Sequence, residues 1–458
     1  MGLFALQWQR RNMSASSRSR SVIEGAIKDG ELRVFIVAGE VSGDSIGSRL
    51  MSAMKKLAPL PVSFSGVGGS MMSEQGMKSL FPMEDIAVMG IWELLPHIYK
   101  FRVRLKETIE AALLFRPHAV VTVDSKGFSF RLLKQLRARY SHERLNGPAH
   151  FHYVAPSFWA WKGGEARLKN LAAFVDHILC ILPNEEAICR LNGLAATFVG
   201  HPVVEDCLEL NLVFQDQSPT ELLNLIWEMF AHNNTYSHRA VRAMIISLLP
   251  GSRLQEVARM LPIFAKTMEL LKDSFPELIT VIHVAPNRHV ENYITGLIEK
   301  WPVPSILVPG GSSNLKYDAF SASRVALCTS GTVAVELQLA RLPCVVAYQA
   351  HFLTEWFIRY KAKIPYISLP NILLDSPIIP EALLQACTPD TLTHLLMELI
   401  CDEGLQEQQI VAAKKVVRLL YPSERMIKNL EQQDIRWTFH GYSPSMIAAA
   451  TVLGFVKP

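Results

Sequence analysis

Met244-Ile245-Ile246-Ser247-Leu248-Leu249-Pro250-Gly251-Ser252-Arg253 and, later in the chain, Val325-Ala326-Leu327-Cys328-Thr329-Ser330-Gly331-Thr332 follow one pattern. Each is an apolar, strand-like run that ends in a turn of small residues and opens an amphipathic helix. The first helix is expected from about Leu254 to Leu271, the second from Thr332 to Leu339. Such a turn exposes backbone N–H groups, and the helix dipole adds positive potential at the same place. Two of them in one half of a chain suit a diphosphate, with Ser252, Ser330, Gly331 and Thr332 in the turns. Arg253 adds a bidentate charge contact that a backbone turn cannot supply. Glu336 lies one helical turn past Thr332 on the same face, where it can accept from ribose hydroxyls. Either turn alone is what ordinary helix caps look like. The pair, with Arg253 and Glu336, points to a nucleotide-diphosphate site.

Outward from these turns the chain alternates strands and helices, the mark of parallel sheets with crossover helices. In the first half, strands are expected at Arg33 to Val37, Pro117 to Val123, Ala149 to Val154, His177 to Leu182 and Ala196 to Pro202, with a helix from Asp44 to Lys56. In the second half they fall at Ile279–Val284, Ser305–Val308, Val325–Cys328 and Cys344–Tyr348. The expected fold is α/β, two doubly wound Rossmann-like domains facing across a cleft, with ligands outside the carboxyl ends of the strands. The expected boundaries are a leader at 1–30, a first domain at 31–204, a connection with an inserted helix at 205–242, a second domain at 243–430 and a helical tail at 431–458.

Composition agrees with a buried globular enzyme: 49% of the residues are hydrophobic and 19% charged. A net charge of +4 is too small at this length to argue for a nucleic-acid partner. The seven cysteines form no C-x-x-C pair, which argues against a zinc site and a disulfide framework and for a reducing compartment. No apolar run reaches the roughly 18 residues needed to span a bilayer. The first 22 residues hold Arg10, Arg11, Arg18 and Arg20, several serines and no acid. That is the composition of an organelle transit peptide, mitochondrial before chloroplast, although a plain tail would look similar.

The first half has candidates of its own. Ala38-Gly39-Glu40-Val41-Ser42-Gly43-Asp44 joins a strand to a helix. Gly39 and Gly43 permit close approach of a ligand, and Glu40, Ser42 and Asp44 can hydrogen-bond a sugar, while Ser42 or Asp44 also suits an N-cap. Asp124 ends an apolar strand, where a carboxylate can take a proton from an attacking hydroxyl or cap the next helix. His152 to Lys162 packs Tyr153, Phe158, Trp159 and Trp161 into a Pro/Ser loop fit to stack on sugars, to shape an acyl channel or to fill a core. Residues 81–105 run from apolar and aromatic to basic, which suits either peripheral contact with an anionic membrane or a core-facing helix with a solvated end.

In order along the chain, these motifs resemble lipid-A-disaccharide synthase. The resemblance is carried by Ala38 to Asp44, Val88-Met89-Gly90-Ile91, His152 to Ser157 with Trp159-Ala160-Trp161, and Gly200-His201-Pro202. Leu249 to Arg253, Thr329 to Thr332 with Glu336, Tyr366 to Asn371, and Pro380-Glu381 with Leu384-Gln385 extend it, so that it covers about residues 33 to 400. It implies a GT-B-type, inverting glycosyltransferase that joins UDP-2,3-diacylglucosamine to 2,3-diacylglucosamine 1-phosphate, forming a β-1,6-linked disaccharide and UDP. It also puts Asp124 on the candidate catalytic aspartate and Arg253, Glu336 and Asn371 on donor-site positions. The chain departs from bacterial members in its leader, in the longer segment at about 211–238, and in Ser125-Lys126-Gly127 after the aspartate. No D-x-D motif stands in the cleft segments, so no metal or other cofactor is expected; a homodimer is compatible with the resemblance. Two alternatives stay open: another UDP-sugar transferase or epimerase on the same architecture, and a non-catalytic lipid- or nucleotide-binding relative.

Overall fold

The structure is a computed structural model that describes residues 21–86, 98–205, 244–311, 313–329, 331–350, 360, 362–422 and 443–456. The chain forms two compact units, one comprising Met1–Trp159, Gly163–Gly200 and Pro422–Pro458, the other Ala160–Lys162 and His201–Tyr421. Of the expected interdomain connection at 205–242, all but Glu205 lies outside the described residues.

In the first unit six parallel strands, β1 (Leu32–Ala38), β2 (Val62–Val67), β3 (Ala119–Val123), β4 (Ala149–Tyr153), β5 (His177–Cys180) and β6 (Ala196–Phe198), lie in the order β2-β1-β3-β4-β5-β6. Helices α1 (Val22–Asp29), α2 (Val41–Leu57), α3 (Ser70–Glu74), α4 (Ile98–Phe115), α5 (Lys126–His142), α6 (Ala166–Leu171) and α7 (Pro183–Leu191) connect or flank them. Alternation along β1 sorts the core into two layers. Val34, Ile36 and Ala38 face one layer with Leu50, Met51 and Met54 of α2; Phe35 and Val37 face the other with Phe101 and Leu105 of α4 and Leu132 and Leu136 of α5. Covered on both sides, β3 and β4 are buried at every position, His150 and His152 of β4 included.

The second unit repeats the plan. Strands β7 (Met244–Leu249), β8 (Leu278–His283), β9 (Ser305–Val308), β10 (Val325–Cys328), β11 (Cys344–Tyr348) and β12 (Glu381–Leu383) form a parallel sheet in the order β12-β11-β10-β7-β8-β9. Its helices are α8 (Leu254–Lys272), α9 (Arg288–Ile298), α10 (Ser313–Ala322), α11 (Gly331–Leu339), α12 (Leu369–Leu374), α13 (Pro389–Cys401) and α14 (Glu403–Leu420). In each sheet the chain fills one side, then jumps back across its first strand to fill the other. The reversal falls between β1 and β3 in the first and between β7 and β10 in the second, where connections diverge and leave a crevice at the carboxyl ends.

Two expectations change. The leader boundary at residue 30 is too late, because α1 is built. Ser21 caps it through a reciprocal box with Glu24 (3.1 and 3.0 Å), Gly30 closes it at φ +79°, and Val22 and Ala26 are buried. The segment 431–458 is not a separate tail where it is described. Helix α15 (Pro444–Leu453) packs on α2 and puts Ile447, Ala448 and Val452 into the first core, and Val22 N–H donates to Phe455 C=O at 3.1 Å. The described flanks of the 81–105 segment are mixed: Phe81, Met83, Ile86, Phe101 and Leu105 are core and Arg104 pairs with Asp85 at 2.7 Å, whereas Ile98, Tyr99 and Val103 are exposed. Val88, Met89, Ile91, Trp92, Leu94 and Leu95 lie outside the described residues. Among the described residues no helix is long and apolar enough to cross a membrane.

Compared with a chain beginning at Ser21, one beginning at Gly30 should lose the cap and the Val22 and Ala26 contacts, roughly 2–4 kcal/mol. Scanning fluorimetry should show this as a midpoint several degrees lower; equal midpoints would mean that α1 contributes nothing to the fold.

Candidate functional site

At the reversal point of the second sheet the two turns read from the sequence become neighbours. Leu249 and Cys328 are register partners, and Thr329 N–H donates to Leu249 C=O at 3.2 Å. Arg253, in extended backbone, is the N-cap residue of α8 and is half-buried, with Ser252 exposed beside it. Gly331 opens α11 and Thr332 follows it; Ser330 lies outside the described residues. The first turn already holds an anion of its own. Ser252 N–H donates to the Glu256 carboxylate at 3.3 Å, and with φ +119° at Gly251 a Cβ there would stand 2.4 Å from that carboxylate. A phosphate on this turn has to share the amide with Glu256 or displace it. Glu336, half-buried one turn into α11, accepts from Lys316 Nζ of α10 at 2.9 Å. Lys316 was missed in the sequence because nothing local marks a pair bridging two helices.

Asn371 is engaged within its own unit. It is fully buried, and both ends of its amide are engaged: Nδ2 donates to Ile379 C=O and to Glu381 Oε1, each at 2.8 Å, while Oδ1 accepts from Ile379 N–H at 2.9 Å. Glu381 completes the knot by accepting from the backbone of Ile367 and Ser368, both at 3.0 Å, and from the Ser368 hydroxyl at 2.6 Å. Asn371 therefore holds the loop around α12 in shape.

At the reversal point of the first sheet, Asp124 and the segment 39–44 come together. Asp124 and Ser125 take consecutive left-handed conformations, φ +47° and +42°, a strained arrangement for side-chain-bearing residues. The strand end is tied from both sides: Asp124 N–H donates to Tyr153 C=O at 2.9 Å, and the Ser129 hydroxyl donates to Asp124 C=O at 2.7 Å. Ser125, not Asp124, is the N-cap residue of α5. A Cβ on Gly39 would stand 2.6 Å from Ser125 Oγ, so only glycine lets the two segments approach this closely. Glu40 is the half-buried N-cap residue of α2, Ser42 is exposed, and Gly43 packs near Val123. Asp44 has a structural role. It is buried, its Oδ1 accepts from Gly69 and Met72 N–H (2.8 and 3.1 Å), and its Oδ2 accepts from Met71 N–H (3.0 Å), so it caps α3.

The aromatic loop is held by a carboxylate that sequence reasoning passed over. Buried Glu185 accepts from Leu182 and Ile181 N–H (3.1 and 3.3 Å) and from Trp159 Nε1 (3.4 Å). Burial pushes its pKa up to about 7, against the pull of these donors. Pro183 at the first turn of α7, with Glu185 two residues on, was the available signal. His152, which faces Thr122 Oγ1 at 2.8 Å, is buried and held neutral, its pKa lowered to about 3 by burial and by Lys126. Ala160–Lys162 belong to the second unit, where Trp161 bridges to Ala362 and Lys363 N–H donates to Ala160 C=O at 2.8 Å.

Comparison with known proteins adds to this geometry. The family described as lipid-A-disaccharide synthetase matches residues 34–435. A protein of Arabidopsis thaliana named "Probable lipid-A-disaccharide synthase, mitochondrial" is 62% identical over 456 residues, covering 99% of this chain and 97% of the relative. The lipid-A-disaccharide synthase of Rhodospirillum centenum is 40% identical over 389 residues, covering 85% of this chain and 90% of that one. Among solved structures, MnaA of S. aureus with UDP superposes with a TM-score of 0.55 at 12% identity, covering 90% of this chain and 99% of that chain, which shows a common fold.

Asn371→Ala should cost about 2–4 kcal/mol in chemical denaturation, because it leaves the buried Ile379 amide and carbonyl and one Glu381 bond unsatisfied. Unchanged stability with a selective loss of ligand binding would restore Asn371 as a contact. Because the folded pKa of Glu185 is raised, the folded state holds its proton more tightly than the unfolded one. This group's stabilisation is present below about pH 4.5 and is lost as pH rises to about 7. Glu185→Gln should flatten that decline between pH 5 and 7; an identical slope in the variant would reject the assignment.

Proposed function

This chain belongs to the lipid-A-disaccharide synthase family and is a glycosyltransferase of that family, and from that premise we propose the reaction it carries out. It transfers a diacylglucosamine from its UDP carrier to the 6-hydroxyl of diacylglucosamine 1-phosphate, with inversion at the anomeric carbon, giving a β-1,6-linked disaccharide 1-phosphate and UDP. The observation that carries the reading is the pairing of β7 with β10, which sets Arg253 and the start of α11 at one reversal point with Glu336 a turn away. That is a layout for a nucleoside diphosphate: two helix N-termini and a guanidinium for the phosphates, a carboxylate for the ribose.

In this mechanism the bond from the anomeric carbon to the UDP oxygen breaks as the acceptor hydroxyl attacks from the opposite face. Negative charge develops on the leaving diphosphate, and helix N-termini with Arg253 stabilise it in a preorganised way. No metal is required for that role. Asp124, at the reversal point of the first sheet with Glu40, Ser42 and Gly43 beside it, accepts the hydroxyl proton. Both substrates are lipid-linked sugars, so the protein works at a membrane surface. The acid-free, arginine-rich first residues and the mitochondrial relative favour mitochondrial import.

The test is incubation of purified protein with UDP-diacylglucosamine and diacylglucosamine 1-phosphate, read by mass spectrometry with and without EDTA. Disaccharide phosphate and UDP should form in both arms; absence of product, or product only with added Mg²⁺ or Mn²⁺, would contradict the reading. Asp124→Asn should fold and bind UDP normally yet lose about 10²–10⁴ in kcat, with little change in donor KM. Near-normal turnover would leave Asp124 a structural residue.

A further inference from the structure

Resting on the donor reading above, we propose that Lys316 is a positioning residue that fixes the Glu336 carboxylate for the nucleotide ribose and thereby sets preference for a ribonucleotide. Lys316 lies on α10, the crossover that returns the chain from β9 to β10 and so creates the reversal point. Glu336 lies on α11, which leaves β10 at that same point. Their contact, 2.9 Å from Nζ to Oε2, ties the two helices together with 28% and 24% of the side chains exposed. Fully exposed Lys–Glu pairs spend much of their time open, whereas one withdrawn this far from water restrains both partners.

Lys316 is itself held. Its ammonium stands 5.1 Å from the ring centroid of Tyr317, which is buried and packs edge-on against Phe320 at 5.5 Å. The ammonium therefore reaches Glu336 from a rigid base. With Oε2 taken by Lys316, Oε1 has no hydrogen-bond partner among the described residues and can accept from a vicinal diol. An unrestrained glutamate would lose the freedom of three torsions on meeting the ribose, and a pinned one has already lost it. Lysine suits the task because its ammonium only donates, so it engages one carboxylate oxygen and leaves the other to accept from hydroxyl donors.

The experiment compares UDP with 2′,3′-dideoxy-UDP by calorimetry on the whole chain. Lys316→Met should weaken UDP about 3- to 10-fold while dideoxy-UDP changes less than about twofold, so the ribose preference shrinks. Lys316→Arg, which keeps the charge and the donor, should retain most of it. If Lys316→Met does not fold, Lys316→Gln replaces it and is judged by the same ratio. A folded Lys316 variant with undiminished ribose preference, alongside Glu336→Ala that loses it, overturns the role of Lys316 and leaves the donor reading standing. If Glu336→Ala also keeps the preference, Glu336 does not meet the ribose, and both readings fall.

Discussion

The pairing of β10 with β7 is the constraint on which the chemistry of the second unit depends. These strands are separated in sequence by β8, β9 and three helices, yet Leu249 and Cys328 are register partners and Thr329 closes the strand ends with a 3.2 Å bond to Leu249. Because parallel strands share a direction, both deliver their turns to the same edge. Because the chain reverses there, α8 and α11 diverge and neither covers the other's first turn. A slip of one residue would send Leu249 and Cys328 to the opposite face and separate Arg253 from Glu336. The first sheet applies the same rule between β1 and β3, where it brings Gly39 against Ser125 and leaves Asp124 in a left-handed bend.

Much of this was legible in the sequence because it is written in short-range signals. An apolar run, a small-residue turn and a 3.6-residue period suffice to place a strand, its end and the next helix, and Leu254–Lys272 and Gly331–Leu339 fall within a residue of their expected ends. Helix α1 carried its signal too, in the capping box Ser21-Val22-Ile23-Glu24. It was hidden by the basic composition before it, which suggested a leader ending at residue 30.

What was not legible is who satisfies whom. Asp44 and Asn371 both offer polar groups in suitable motifs, and both turn out to be engaged inside their own unit, by three amides for Asp44 and by Ile379 and Glu381 for Asn371. A buried polar group must find partners somewhere, and a motif does not say whether these are ligand or backbone. The same limit hid Lys316, Glu256 and Glu185, whose importance lies in a contact and not in a pattern. Carboxylates at the second reversal point are accordingly engaged before any ligand arrives: Glu256 rests on the Ser252 amide and Glu336 on Lys316.

A crystal structure of the protein with UDP tests the central claim most directly. The account places the diphosphate within about 2.7–3.2 Å of backbone N–H groups in the turns after β7 and β10, with Arg253 on a phosphate oxygen, Glu256 moved off the Ser252 amide and Glu336 on the ribose. UDP bound with its diphosphate away from both turns, or with Glu256 still closing the Ser252 amide and no phosphate at Arg253, would contradict it.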